Sequence, residues 1–591
     1  MTTPAKTTGL RYWMLRVLSD CEHVSADFSA DPVHDLRVAL RRCRSMADGM
    51  MAMDPDPEWK AMKKSGKRLF QSLGELRDVQ IMMEWIDKLE PASVRLGAAS
   101  SPAPLPPAES LEQTAVASPA AFPDLPSPDP AHTLLQILRQ REAEQKHAAR
   151  AALEEFDRKQ WRHWSRILPQ RAARIRPGSA VFKHLALERC TAARELHTRA
   201  LRNRSQVAFH TLRIGIKRFR YIVENFLPVE HAAWSNDLKH MQDLLGEVHD
   251  LDVLWATALS CHVFPDDESR QRWQARISEE RSKRIEEYRQ RTTGSASLWN
   301  VWRSGLPQGN EIPQIATRRM KLWAKALDPD FAHSERVARL ALELYDGLAG
   351  AGLLGNLAAH SASQDSYQGT PSGVPNGSQN KRAFRRWNSE LHSSHGQPVG
   401  NAADARDTLH VAALLHDVGR SDDKKGHHKR SLELIKAHGT PLGWKPENMR
   451  RAAVVSRFHC GALPTRSHKA LRDFLPHEQR VIIRLAAILR LANAFDAEHN
   501  GHIRHVRIED SLARSPRRER RTNGFLRKPA TPGRNEALII SAEGYTQGSL
   551  TAQTIAAERY LLETVLRRPV VVKPGPGLRR SVLATHTTAR T

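Results

Sequence analysis

Two stretches of this chain carry apolar and basic residues in the same helical phase. Relative to His34 and His210, apolar residues stand at −1, +2, +6 and +9: Val33, Leu36, Leu40 and Cys43, then Phe209, Leu212, Ile216 and Phe219. On a 3.6-residue helix these positions form one stripe. Basic residues stand at +3, +7 and +10: Arg37, Arg41 and Arg44, then Arg213, Lys217 and Arg220, with Arg42 and Arg218 one residue after the middle cation. They share an adjacent face with the histidine. The pattern predicts two amphipathic helices, each anchored by its apolar stripe and presenting a cationic row. One such row reads as a solvated face, but two in matching phase favour a repeated anion site.

The surrounding sequence keeps the helical period. Residues 8–28 and Trp59–Leu73 continue it, the latter adding Lys63 and Lys67 to the first cationic row. Gly74 marks a helix break or a close-packing point, with Arg77 and Asp78 opening the next helix. Leu73-Gly74-Glu75-Leu76-Arg77-Asp78-Val79 is answered by Leu245-Gly246-Glu247-Val248-His249-Asp250-Leu251. The histidines are 176 residues apart and the glycines 172, so one unit has been duplicated. Asp78 and Asp250 read first as ion-pair partners of the arginines and second as acid catalysts. The Pro/Ala/Ser-rich stretch 91–130 reads as a linker between halves 8–90 and 131–295. Helices resume over Leu134–Asp157, Ser179–Ser205 and Trp234–Leu245, which carries Lys239. Little β-alternation appears before residue 300.

A second unit is expected over 316–575. Residues 355–405, full of Ser, Gly, Asn and Gln, read as a disordered insertion within it. Residues 512–535, with Arg514, Arg517, Arg518, Arg520, Arg521 and Lys528 among their basic side chains, read as a second, and 576–591 as a tail. Ile503–Ile508 and Ala537–Ser541 alternate as a hairpin would, followed by a helix to Leu566 and a strand at 569–572. The predicted fold class is mainly α with a small β-containing extension.

Charge sharpens the picture. Ninety Lys+Arg against 65 Asp+Glu give +25, which calls for an acidic partner. Five scattered cysteines, odd in number and without C-x-x-C spacing, argue against a disulfide framework and suit a cytoplasmic protein. No apolar run reaches the length of a membrane span, so no membrane partner is expected.

The second unit also holds metal-type donors in order: His333, His416-Asp417, His427-His428, His459 and Asp496. A His-Asp neighbour pair inside the apolar run Leu414–Val418 is costly to bury without a partner. A divalent ion there would acidify water for attack on a phosphoester or phosphoanhydride, with His416 and Asp417 as the catalytic pair.

The duplicated H-x-x-R-x-x-x-[RK]-R-x-R and L-G-x-x-x-D motifs resemble the CHAD family, the conserved histidine α-helical domain. That resemblance implies two antiparallel helical bundles around a basic channel for inorganic polyphosphate. The implied ligand-binding set is His34, Arg37, Arg41, Arg42, Arg44, Lys63, Lys67, Arg77, His210, Arg213, Lys217, Arg218, Arg220 and Lys239. The ordered set from His333 to Asp496 resembles an all-helical HD-type phosphohydrolase domain, in particular the one ending exopolyphosphatase/guanosine-pentaphosphate phosphatase (Ppx/GppA) proteins. It implies His333, His416, Asp417 and Asp496 as the core metal set, with His427 or His428 and His459 for a second ion. The metal would be Mn, Mg or Fe. That family's upstream ATPase-fold domain has no counterpart here. The expected protein binds polyphosphate, in the cytoplasm or at polyphosphate granules, and carries an HD-type phosphohydrolase. A non-catalytic polyphosphate scaffold is the alternative. A nucleic-acid binder ranks below both, because the basic helices lack interleaved aromatics for base stacking.

Overall fold

The computed structural model describes residues 9–89, 129–354, 402–421, 425–509 and 537–576. The chain divides into two compact units, Met1–Pro307 and Gln308–Thr591. The expected insertion at 512–535, most of those at 355–405 and 91–130, and nearly all of the tail lie outside the described residues, whereas 402–405 already belong to a helix.

The described residues of the first unit are helical throughout. Its first repeat comprises α1 (Leu10–Ala26), α2 (Ala30–Met50), α3 (Pro57–Ser65), α4 (Lys67–Leu89), α5 (Pro130–Glu154) and α6 (Arg158–Ala172). The second comprises α7 (Ala180–Asn203), α8 (Gln206–Phe226), α9 (Pro228–Ser260), α10 (Asp267–Thr292) and α11 (Leu298–Ser304). The predicted apolar stripes of α2 and α8 are buried, seven of the eight residues at 0% exposure and Phe209 at 3%. Polar side chains start several helices: Ser205 accepts from the Ala208 amide, and Asp129 accepts from Ala131 ahead of Pro130 at the first helical position.

Packing moves the expected boundary between the repeats. Helix α5 lies on α4, and α6 on α1 and α3, so both belong with the first repeat. The division therefore falls between α6 and α7, and residues 90–128 interrupt the first repeat instead of joining two halves at 91–130. Composition marks a stretch as a connector without revealing what its flanking helices pack against. A third echo supports this division. Trp161 and Trp164 of α6 meet edge to face at 6.3 Å, and Trp299 and Trp302 of α11 do so at 5.2 Å. All four indoles are buried, and the W-x-x-W spacing was available in the sequence.

Gly74 does not break a helix. Helix α4 runs through it, and Arg77 and Asp78 lie in mid-helix; the break comes at Gly66. A Cβ at Gly74 would stand 3.2 Å from Arg37 Nη1, so the glycine admits the guanidinium, which donates to the Leu73 carbonyl at 2.8 Å. One mid-helix glycine costs only about 1 kcal/mol, a penalty the packing overrides.

The second unit comprises α12 (Glu311–Leu327), α13 (Phe331–Gly350), α14 (Ala402–Leu415), α15 (His427–His438), α16 (Pro446–Arg457), α17 (Pro476–Phe495) and α18 (Leu550–Leu566). Helix α17 is buried on nearly all faces from Leu485 to Phe495, which makes it the central element. Helices α13, α16 and α18 pack around it. Three short strands, β1 (Val506–Glu509), β2 (Leu538–Ala542) and β3 (Val570–Pro574), form one sheet. β1 pairs antiparallel with β2, with Val506 opposite Ala542, and β3 joins β2 in parallel after the α18 crossover. No described helix is long and apolar enough to cross a membrane.

Candidate functional site

In the first unit, α2 packs directly on α8, which brings the two cationic rows together. Arg37 and Arg41 come within electrostatic reach of Arg213 and Lys217, and Arg77 reaches Arg37. His34 lies beside Arg41 and Arg77, and His210 beside Arg213 and Lys217. The like charges have physical consequences. Burial, then Arg213 and Arg41, lowers the Lys217 ammonium to about 7. Asp250 is raised to about 6 by burial, with Asp78 adding to the shift and Arg213 and Lys217 opposing it. The buried Arg213 Nε makes no hydrogen bond.

One difference between the repeats falls at the cationic site. Where the first has Arg77, the second has His249, whose Nδ1 lies 3.2 Å from His210 Nδ1. Burial, followed by Arg213 and His210, lowers His249 to about 4, so it is neutral near pH 7.

Other predicted cations are held elsewhere. Arg42 pairs with Glu224, tying α2 to α8, and Arg220 lies 3.6 Å from the same carboxylate. Arg44 donates to the Lys63 carbonyl at 2.6 Å and lies over the Phe70 ring, while Lys63 pairs with Asp48. Arg77, by contrast, stays beside Arg37 and His34 while it pairs with Glu84 at 2.9 Å. Lys67, Arg218 and Lys239 are exposed. The gathered set is thus Arg37, Arg41, Arg77, Arg213 and Lys217 with the histidines.

In the second unit, α13 and α14 pack side by side, so 83 residues of separation between His333 and His416 collapse to neighbouring rings 5.4 Å apart. His416 and Asp417 end α14. His427 begins α15, and His459 follows α16. Gly419 sets this convergence: a Cβ there would meet the His427 carbonyl at 2.4 Å and the Ser431 amide at 2.6 Å. Its amide donates to Ser431 Oγ, which donates in turn to the His416 carbonyl at 2.7 Å.

The tautomers follow from backbone partners. His416 Nδ1 donates to Ala413 O and His459 Nδ1 to Ser456 O, each at 2.7 Å. Each Nε2 is then a bare acceptor. His416 Nε2 is buried with no hydrogen-bond partner, and so is Asp417 Oδ1. Asp417 Oδ1 lies 3.4 Å from Nε2 of both His427 and His459, which are 3.0 Å from each other. Burial works against the Asp417 carboxylate, but His416, His459 and Arg420 hold it well below the usual carboxylate range. His459 Nε2, as acceptor, takes a hydrogen bond from His427 Nε2, while His416 Nε2 and Asp417 Oδ1 keep buried lone pairs without a hydrogen bond, so this donor set fits a divalent ion. In each of two groups, His333/His416/Asp417 and His427/His459/Cys460, the donor atoms lie within 4.8 Å of one another.

Two residues of the expected set stand apart from the donor groups. Asp496 Oδ2 accepts from His333 Nδ1 and from Arg336 Nε, each at 2.8 Å, and Oδ1 accepts from the Gly501 amide. It orients His333 and lies outside both donor groups, with one acceptor site of Oδ1 left over. His427 enters the site, whereas His428 turns to Cys460 Sγ at 3.6 Å.

Sequence reasoning missed Cys460, Asn493 and His499. His333 Nε2 lies 3.0 Å from Asn493 Oδ1. His499 stacks on His333 at 3.8 Å, bonds Asp330 through Nδ1 at 2.6 Å, and has φ +57°, a strained backbone value for a non-glycine residue. Only the H-C and D-x-x-H pairings with known ligands could have flagged the first and last. These groups, with Arg420, Thr554 and Glu558, line a cleft of about 310 Å³.

Residues 15–259 match the CHAD domain, and residues 382–523 match Ppx/GppA phosphatase, domain III. The chain is also similar to the crystal structure of the CHAD domain from the plant Ricinus communis. The two are 18% identical, with 50% of this chain and 88% of that one covered and a TM-score of 0.30. No curated protein matches the chain.

Proposed function

We propose that this protein binds inorganic polyphosphate through its first unit and hydrolyses a phosphoanhydride or phosphoester, with a divalent metal, in its second. The observation that carries the reading is the meeting of Arg37 and Arg41 with Arg213 and Lys217 across the two repeats. Crowded cations repel and lower each other's affinity for protons, a cost that a phosphate chain relieves at every contact. Arginine's planar fork holds phosphate oxygens in pairs and stays charged.

The second unit supports the enzymatic half. His333, His416, Asp417, His427 and His459 would supply the metal ligands, and Asp496 would keep His333 aligned through its Nδ1–H. A bound divalent ion supplies Lewis-acid polarisation of phosphoryl oxygen and acidifies water. Arg420, 3.1 Å from Asp417 and facing the cleft, can neutralise phosphate charge.

The test uses the full chain, long polyphosphate and added Mn²⁺ or Mg²⁺, following polymer retention and orthophosphate release together. Retention with release that is lost in a His416→Ala/Asp417→Ala double variant is the expected result. Retention without release under any metal leaves a polyphosphate-binding scaffold, and no retention overturns the proposal.

A further inference from the structure

Residues 308–591 contain a single cysteine, and it stands at the candidate metal centre. Cys460 Sγ lies 3.7 Å from His427 Nε2, and both fall with His459 in a donor group spanning less than 4.8 Å. On the same side, the buried and unpartnered Asp417 Oδ1 sits 3.4 Å from both imidazoles. Two imidazole nitrogens thus neighbour a sulfur on the one hand and a carboxylate oxygen on the other. Four such donors match the coordination number of Zn²⁺. Mg²⁺ favours oxygen ligands and retained waters, and a sulfur donor disfavours it.

We propose that Cys460 is a metal ligand, and that the subsite it forms with His427, His459 and Asp417 selects a thiophilic divalent ion such as Zn²⁺ over Mg²⁺. Binding forms the sulfur–metal bond and releases the thiol proton to solvent, with no change in oxidation state. His428 Nδ1, 3.6 Å from Sγ, holds the sulfur from outside the donor set. The inference rests on the metal reading of the second unit and adds the identity of one donor and the class of ion.

Cobalt titration of the full chain separates the two claims. Visible ligand-field bands report uptake, and a near-ultraviolet sulfur-to-cobalt charge-transfer band reports the thiolate. Wild type should show both. Cys460→Ser should keep the visible bands, lose the charge-transfer band and weaken Zn²⁺ binding at least about tenfold. Cys460→Asp should move the preference from Zn²⁺ toward Mn²⁺. Visible bands without a sulfur band, or a sulfur band that survives Cys460→Ser, overturn the sulfur donor and leave the metal reading standing. No cobalt uptake by a wild-type protein with its helical circular dichroism intact overturns both.

Discussion

Around Arg37 and Arg213, the first unit gathers cations along two helix faces and leaves them half-exposed. Around Asp417, the second unit buries imidazoles and a carboxylate from three helices, at 0% exposure for His416 and 2% for Asp417. Under the proposed function, the first arrangement would tolerate loss of any one member, because its phosphate contacts would be many and similar. The second would not, because each donor would occupy one direction about the ion and the buried His416 and Asp417 have few other partners. A binding surface is built by repetition, whereas a metal centre is built by convergence.

The most severe way to separate the two is the His416→Ala/Asp417→Ala variant. It should reduce orthophosphate release at least about a hundredfold while polyphosphate retention stays at the wild-type level. Equal loss of both activities in a folded variant would erase the distinction. Next, Arg37→Ala/Arg213→Ala should weaken retention at least about a hundredfold, since each charge-assisted contact contributes about 1.5–3 kcal/mol. The dependence of log affinity on log salt should become shallower by about two. Release from a small phosphoester should not move.

Asp496→Asn should lower metal affinity about 10–100-fold without removing a donor, because it unfastens the His333 ring. Calorimetric titration with Mn²⁺ measures this, and an unchanged affinity would return Asp496 to the periphery. The smallest effect is one of pH. As pH rises from 6 to 8, Asp250, near 6, gains negative charge and Lys217, near 7, loses its positive charge. Both changes oppose a polyanion, so retention should weaken about tenfold, or about 1.4 kcal/mol, over that range. Lys217→Arg should flatten most of the decline, and a wild-type profile that rises with pH would contradict the assignment.

The sequence alone determined the helical class, the duplication of His34-Arg37-Arg41-Arg44 as His210-Arg213-Lys217-Arg220, and the ordered donors from His333 to Asp496. Each is written in short-range spacing, because a helix converts a period of 3.6 residues directly into a face. Tertiary structure alone decided which members of those faces meet. Arg42 and Arg44 share the helix of Arg37, yet one pairs with Glu224 and the other with the Lys63 carbonyl. His427 and His428 are neighbours in sequence, and only the first enters the donor set. Asp496 lies 163 residues from His333 and serves as its orienting partner. Spacing along one helix fixes where a side chain points, but its partner comes from another helix, and the choice is made by which apolar faces pack together.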